Sequence, residues 1–383
     1  MKKLLLTAGS RTGTLLLAPL YDALNKNAAY KPVVILAAQE GAEPINADLA
    51  RSFNIGEADH TIRFPKGTSV EQLASVMTGM EKIMLDEQPD LVLVCGCDNA
   101  AFGAAITSAK LGLPVAAIDA GLRSYERSDA EEVNRVVIDA MADLHFVSEH
   151  SGEYNLINEG VADEKVFFTG NLIIDSLVAL MEQANRSEVS GLAEVKPKKY
   201  VLVLLNPTGQ FSNKEPLDMM QRLFKEISDK ITIVMPHAAE LDALMQQHGI
   251  GESFSEIEGV TIIEPPTHTS LLKLLRDAML LLTDIEEMQS EATVMNVPCL
   301  TIMESSSRPA TIEIGTNVLV GLDEEDIKSR IHDILHPGSH QHITSRSKIP
   351  EKWDGAAAGR IVAVLDRVLQ EGSLGLHGVK QSA

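Results

Sequence analysis

The sequence predicts an α/β protein of two Rossmann-like domains facing one another across a cleft. Three observations carry that expectation. Short apolar runs bounded by polar loops recur along the chain, as in "KLLLTAG", "KPVVILAAQ", "DLVLVCG", "PVAAIDAG", "LHFVSE" and "KVFFTGN". Their unbroken apolarity suits strands buried on both faces of a parallel sheet. Amphipathic stretches such as "SVEQLASVMTGMEKIMLDE" separate them, the alternation of a doubly wound sheet. Finally the pattern restarts: "KKLLLTAGSRTG" opens the chain and "KKYVLVLLNPTG" opens it again at Lys198.

The second half supplies "YVLVLLNP", "KITIVMP", "GVTIIEP", "AMLLLTD", "PCLTIM" and "NVLVG" as strands. Before the restart, "QANRSEVSGLAEVKPK" is polar and strand-poor and reads as a linker. The domains are therefore placed at 1–180 and 196–350. A helix in "AGRIVAVLDRVLQEG", about 353–371, remains to pack on one of them, and "SLGLHGVKQSA" reads as a loose tail.

With 383 residues, 45% hydrophobic and 23% charged, the chain is long enough for two ordinary cores. Its net charge of −21 argues against nucleic acid or an anionic membrane as partner. An anionic small molecule would need local basic groups. The opening "MKKLLLTAGSRTGTLLLAPL" has the charged start of a signal peptide, but polar residues and glycines from Thr7 to Thr14 interrupt it, so strand, loop and helix fit better. Three cysteines, Cys95, Cys97 and Cys299, suggest a reducing compartment rather than a disulfide framework. The Cys95/Cys97 spacing suits small residues at a strand end better than zinc. In "HDILHPGSHQH", His332 and His336 share a helical face while His340 and His342 follow a Pro-Gly stop. A solvated helix end explains them, and no metal site is expected.

Open α/β sheets bind ligands beyond the carboxyl ends of their strands. The polar residues there are Ser10 and Arg11, then Asp98 and Asn99, then Asp119, then Glu131, Glu132, Asn134 and Arg135 in "SDAEEVNRVVIDA". The second half adds Asn206, His237, Asp284 and Arg308, with Glu286, Glu287 and Glu291 on the helix opened by "DIEEMQSEA". Each has a plain explanation. Ser128 or Asp129 caps a helix, Glu131 and Arg135 form an i,i+4 pair, and an isolated loop arginine is usually solvated. Their joint appearance at successive strand ends points to a site. Three carboxylates can divide acid and base roles if burial and repulsion spread their pKa values.

Together these residues resemble the non-hydrolysing UDP-N-acetylglucosamine 2-epimerase family nearly end to end. "AGSRTG" stands where that family has Gly-Thr-Arg-Pro-Glu, and "DAGLRS" where it has Glu-Ala-Gly-Leu-Arg. "EEVNRVVIDAMADLHF" matches its Glu-Glu-x-Asn-Arg helix and "FTGNLIIDSL" its Thr-Gly-Asn-x-x-Ile-Asp segment. "TDIEEMQSEA" falls on Thr-Asp-Ser-Gly-Gly-x-Gln-Glu-Glu, and "SSSRPATIEIGTNVLVG" on Glu-Arg-Pro-Glu. The resemblance implies a glycosyltransferase-B type fold, with the last helix crossing back to the first domain. It also implies a cytoplasmic homodimer without a redox cofactor, and a UDP-sugar substrate inverted at C2 by elimination and re-addition of UDP. By position, Asp98, Asp119 and Glu131 are the catalytic carboxylates. Arg11 and Arg135 serve the diphosphate and active site, and Glu291 the uridine ribose. Asn206, His237, Glu286, Glu287 and Arg308 are further substrate-binding candidates.

Several positions depart from the family. Its loop lysine falls on Leu16, its second-domain histidine on Asn206, and its first catalytic glutamate on the shorter Asp119. Its Ser-Gly-Gly becomes Ile285, Glu286 and Glu287, and Cys97 is an extra residue before Asp98. A helix start attracts an anion by about 0.3–2 kcal/mol. A glutamate ~5 Å from a phosphate charge repels it by roughly 3 kcal/mol at an effective dielectric of ~20. Two such groups would outweigh the dipole unless they turn away or a cation bridges them. Three readings stay open: a divergent 2-epimerase, a same-fold enzyme on another nucleotide sugar, and a non-catalytic homologue whose first-turn glutamates merely stabilise a helix.

Overall fold

The structure is a computed structural model that describes residues 1–41, 47–53, 55–127, 129–189, 191, 195–236, 238–336 and 347–370. It divides into two compact units: Met1–Ala179 with the chain from Glu351 onward, and Leu180–Pro350.

The first unit runs β1 (Lys2–Ala8), α1 (Arg11–Asn25), β2 (Tyr30–Gln39), α2 (Ala47–Ser52), β3 (His60–Phe64), α3 (Ser69–Glu87) and β4 (Leu91–Cys95). It continues with α4 (Asn99–Leu111), β5 (Val115–Ile118), α5 (Ala130–Met141), β6 (Leu144–Val147), α6 (His150–Asn158) and β7 (Val166–Phe168); α7 (Leu172–Arg186) begins in this unit and ends in the second. The strands form a parallel sheet of order β3-β2-β1-β4-β5-β6-β7. Leu4, Leu5 and Leu6 of β1, and all of β4, are fully buried, because helices cover both faces of a central parallel strand. Strand order reverses between β1 and β4, which makes their carboxyl ends the switch point where such sheets bind ligands.

Strand β3 was not among the expected strands. "HTIRF" buries only Ile62, with exposed Thr61 and Arg63 beside it. As an edge strand paired on β2 alone it needs little apolar content and so lacks an unbroken apolar run. The "SVEQLASVMTGMEKIMLDE" helix is present over its whole length. It begins at a capping box in which Thr68 and Glu71 satisfy each other's backbone N–H groups.

The second unit comprises β8 (Tyr200–Leu204), α8 (Lys214–Ile227), β9 (Thr232–Pro236), α9 (Ala238–Gln247), β10 (Val260–Ile263) and α10 (His268–Asp277). Then come β11 (Leu280–Thr283), α11 (Glu286–Val294), β12 (Cys299–Thr301), α12 (Pro309–Glu313), β13 (Asn317–Leu319) and α13 (Glu324–Leu335). Its parallel sheet has the order β10-β9-β8-β11-β12-β13, with the switch point between β8 and β11. One face packs on Phe211, Phe224 and Phe254. The expected linker is shorter than the sequence suggested. Helix α7 continues through Gln183–Arg186, and Val189 and Val195 pack against the second unit's core.

From Glu351 the chain is built into the first unit. Trp353 is buried and donates its indole N–H to Ser148 O at 2.9 Å. The final helix, α14 (Ala357–Leu365), is capped by Asp175, whose two oxygens accept the N–H groups of Ala357 and Ala358 at 3.0 and 2.8 Å. Gly170, at φ +91°, lies so close to this segment that a Cβ would sit 2.2 Å from Lys352 O. The Thr-Gly-Asn-x-x-Ile-Asp resemblance therefore falls on a docking seam as well as on a strand end. No helix among the described residues is long and apolar enough to cross a membrane.

Candidate active site

At the first unit's switch point, two helices start side by side. Ser10 Oγ caps α1 by accepting the Gly13 N–H at 3.0 Å, and Arg11 is the first helical residue. Across from it Asp98 caps α4, its Oδ1 accepting the Ala100 and Ala101 N–H groups at 2.8 and 3.0 Å. A Cβ on Gly9 would lie 2.4 Å from the Ala100 Cβ and 3.0 Å from Asp98 Oδ1, so the Arg11 loop and Asp98 adjoin. The second Asp98 oxygen, Oδ2, is buried and accepts no hydrogen bond among the described residues. One oxygen thus serves the helix while the other stays available as an acceptor. The position that carries the family's loop lysine fares differently. Leu16 is buried in the core of α1 and offers nothing to a ligand.

Asp119 directly follows β5 at φ +63°, a left-handed conformation that aspartate tolerates better than most side chains. The turn around it is fixed from below. Gly121, also at positive φ, would place a Cβ 2.4 Å from Gly152 O. Its N–H donates to Asp139 Oδ2 at 3.0 Å, and buried Arg123 pairs with the same oxygen at 2.7 Å. Arg123 also grips Glu159 through Nε and Nη2 at 2.9 and 2.6 Å. Burial pushes the Asp139 carboxyl up, and Arg123 works against that rise. The arginine of "DAGLRS" is thus a buried brace for the turn that carries Asp119.

The two glutamates that open α5 have separate tasks. Glu132 is buried and accepts the Ser124 and Tyr125 N–H groups at 2.9 and 3.0 Å and Arg135 Nη1 at 3.2 Å. Burial alone would raise its pKa, but those donors and the guanidinium hold it below the usual glutamate value. Glu131 is exposed; Cys97 Sγ donates to its Oε2 at 3.5 Å and Arg135 Nη2 approaches at 3.4 Å. Asn134 Nδ2 donates to Cys97 O at 2.9 Å. The extra residue before Asp98 is therefore clasped by α5, which ties the loop after β4 to Glu131 and Arg135. Asp129, not Ser128, is the helix cap seen here, accepting the Glu131 N–H at 2.9 Å; Ser128 lies outside the described residues.

In the second unit the switch-point loops are joined by Asp284, whose Oδ1 accepts the Asn206 N–H at 2.8 Å. Asn206 in turn holds Thr208 through its own Oδ1, a tight local turn. Glu286 is turned toward the loop after β12, where its two oxygens accept the Ser307 N–H at 2.9 Å and the Ser307 hydroxyl at 2.5 Å. One turn on, the buried Gln289 Oε1 accepts Ser306 Oγ at 2.7 Å. Arg308 follows at the cap of α12. It is only 4% exposed, so the plain alternative of a solvated loop arginine does not hold. Glu291 is fully buried on α11, with His268 Nε2 at 3.4 Å from its Oε1. His237 lies outside the described residues.

Arg123, His268, Gln289 and Ser306 were not among the expected site residues. Arg123 carried a weak signal, a charged residue directly after the apolar Leu122 in "AGLRS". His268 stands 23 residues before Glu291, and no periodicity links them. Of the histidines near the second unit's end, the His332 and His336 rings lie with centroids 3.9 Å apart and planes tilted by 47°, and His340 and His342 lie outside the described residues. Among the described residues no cluster of His, Cys, Asp or Glu is placed to hold a metal.

Comparison with known proteins points in one direction. The family model described as UDP-N-acetylglucosamine 2-epimerase matches residues 22–366. A UDP-N-acetylglucosamine 2-epimerase of Methanocaldococcus jannaschii is 30% identical over 341 residues, covering 87% of this chain and 92% of its own. One from Methanococcus maripaludis is 29% identical over 347 residues, covering 89% and 93%. The crystal structure of the M. jannaschii enzyme in complex with UDP-GlcNAc and UDP has a TM-score of 0.85 to this chain at 28% identity, covering 95% and 99%.

Proposed function

From membership of the UDP-N-acetylglucosamine 2-epimerase family, to which this chain belongs, we propose that it is an isomerase interconverting UDP-GlcNAc and UDP-ManNAc. The carrying observation is Asp98, Asp119 and Glu131 at the carboxyl edge of one sheet, with the loop before Arg11 against Asp98 and Arg135 beside Glu131. In this reading a carboxylate takes the C2 proton. The C1–O bond breaks with its electron pair going to the departing UDP, which leaves a glycal. UDP then re-adds at C1 while a second carboxylic acid protonates C2 on the opposite face. The free Oδ2 of Asp98 and the exposed carboxylate of Glu131 suit proton transfer. Buried Glu132, already holding two N–H groups, does not. Arg11 and Arg135 serve the diphosphate and reacting centre. Glu291 serves the ribose, and Asn206, His237, Glu287 and Arg308 complete the nucleotide contacts.

The reading extends to a cytoplasmic homodimer with domains at 1–180 plus 353–371 and at 196–350. A second reading, a homologue whose ligand has changed, draws on Leu16 in the core and on Asn206 engaged with its own loop. The test is incubation in heavy water with UDP-GlcNAc or UDP-ManNAc. Deuterium at C2 is expected in both sugars, and its absence from both would reject the epimerase. A thermal-shift panel of other nucleotide sugars then separates a changed substrate from a non-catalytic protein.

A further inference from the structure

Glu286 stands where an incoming diphosphate makes a carboxylate unwelcome, yet the structure gives it definite work. Its carboxylate takes both donors of Ser307, the backbone N–H and the hydroxyl. The neighbouring residues are held from the same helix. Ser306 Oγ donates to Gln289 Oε1 and accepts the Arg308 N–H at 3.1 Å. Thr311 Oγ1 donates to Arg308 O at 2.8 Å and receives Asn317 Nδ2 at 3.1 Å. Residues 306–308 are thus fixed to α11 at two points, and Arg308 sits at the end of that fixed run. A carboxylate that accepts two hydrogen bonds projects less field than a free one. A buried arginine whose backbone is anchored needs less ordering to meet an anion.

We propose that Glu286 is a positioning residue: its clasp on Ser307 sets Arg308 to receive the diphosphate, in place of the direct contacts that small residues at a helix start would make. The clasp rests on the reading, given above, that Arg308 contacts the nucleotide. It answers the electrostatic objection to Glu286 by turning its charge toward donors within the protein.

UDP binding by calorimetry to the full chain tests this, using Glu286→Ala, Glu286→Gln, Ser307→Ala, Arg308→Ala and the double variant Glu286→Ala/Arg308→Ala. Arg308→Ala and Glu286→Ala should each weaken UDP about tenfold, the scale of one hydrogen bond to a charged group. The double variant should be no weaker than Arg308→Ala alone, and both single variants should flatten the dependence of affinity on salt. Glu286→Gln, which can still engage Ser307, should stay within about threefold of wild type. If Glu286→Ala fails to fold, Ser307→Ala carries the test, with a loss of about threefold expected from one lost hydroxyl contact. Tighter or unchanged binding in Glu286→Ala, or additive losses in the double variant, overturns the clasp while leaving Arg308 as a contact. Wild-type affinity in Arg308→Ala, or no UDP binding by the wild-type chain, removes the underlying reading and the clasp with it.

Discussion

The backbone N–H of Asn206 donates to Asp284 Oδ1 at 2.8 Å, so one carboxylate joins the loops after β8 and β11 at the second unit's switch point. Burial pushes this carboxyl up to about 7; the Asn206 hydrogen bond opposes the rise and the Glu287 charge adds to it. A folded-state pKa raised above the unfolded value means that the native state holds the extra proton. The resulting stability is complete below the ordinary aspartate pKa near 3.8 and is lost as pH rises through about 7. Asp284→Asn keeps an acceptor for Asn206 and cannot ionise. Urea unfolding at pH 5 and pH 8 should show wild-type stability falling across that interval and the variant nearly level. Equal slopes in the two proteins would show that Asp284 is not the titrating group. If, as proposed, this end of the second unit holds the nucleotide, the deprotonated form adds negative charge there, and UDP-GlcNAc affinity should also fall over the same interval, less so in the variant.

Glu131 and Glu132 are adjacent in sequence and opposite in role. Replacing exposed Glu131 with Gln should change stability by no more than about 0.5 kcal/mol while abolishing deuterium exchange at C2. Replacing Glu132 with Ala leaves the Ser124 and Tyr125 N–H groups without their acceptor, at a cost of about 1–3 kcal/mol. The pH profile separates them as well. Glu132 has a depressed folded pKa, so its contribution is present above the ordinary value of 4.5 and fades as pH falls through the lower one. Thermal melts of wild type and Glu132→Ala should therefore converge toward acid pH. Melts that stay parallel down to pH 3 would show that the stabilisation does not depend on ionised Glu132.

The strands that built the two sheets were legible because a central parallel strand has no solvent face, so its apolarity is unbroken, as in "LVLVC" of β4. Strand β3 was not, because an edge strand needs only Ile62. The candidate site was legible as a set of positions for a related reason: polar residues soon after buried strands fall at the sheet's carboxyl edge, and Asp98 and Asp119 both stand there, although Asp98 also has structural work as the cap of α4. What the sequence hid was partnership. Nothing in the spacing of Glu286 and Ser307, or of Arg123, Asp139 and Glu159, shows that they meet, because the encounters are made by the sheet's strand order. The burial of Arg308 at the cap of α12 is tertiary in the same way, and nothing local separates it from an ordinary solvated loop arginine.

Asp119 combines a left-handed backbone with a proposed proton-transfer role, and substitutions can separate the two. Asn adopts that conformation readily, so Asp119→Asn should fold like wild type yet show no C2 exchange. Val carries a β-branch into a conformation that costs about 1–2 kcal/mol for ordinary residues, so Asp119→Val should also melt earlier. Retained exchange in Asp119→Asn would remove this residue from the chemistry.

Arg123 offers a structural control within the same turn. Its guanidinium meets Asp139 at 2.7 Å and Glu159 at 2.6 Å, and the Asp139 side of the pair is buried. Arg123→Met would strand the Asp139 charge away from water, and breaking a buried pair in this way costs about 3–5 kcal/mol. Adding Asp139→Asn removes the stranded charge while leaving an acceptor for the Gly121 N–H. The double variant should therefore be more stable than Arg123→Met alone. Lys in place of Arg123 should recover little, since one ammonium cannot reproduce the fork that spans Glu159 while also reaching Asp139. Chemical denaturation of the three variants measures this. A double variant less stable than Arg123→Met would mean that the Arg123–Glu159 contact, rather than compensation of Asp139, holds the turn. Since that turn sets the backbone of Asp119, C2 exchange should decline in Arg123→Met even at temperatures where the protein remains folded.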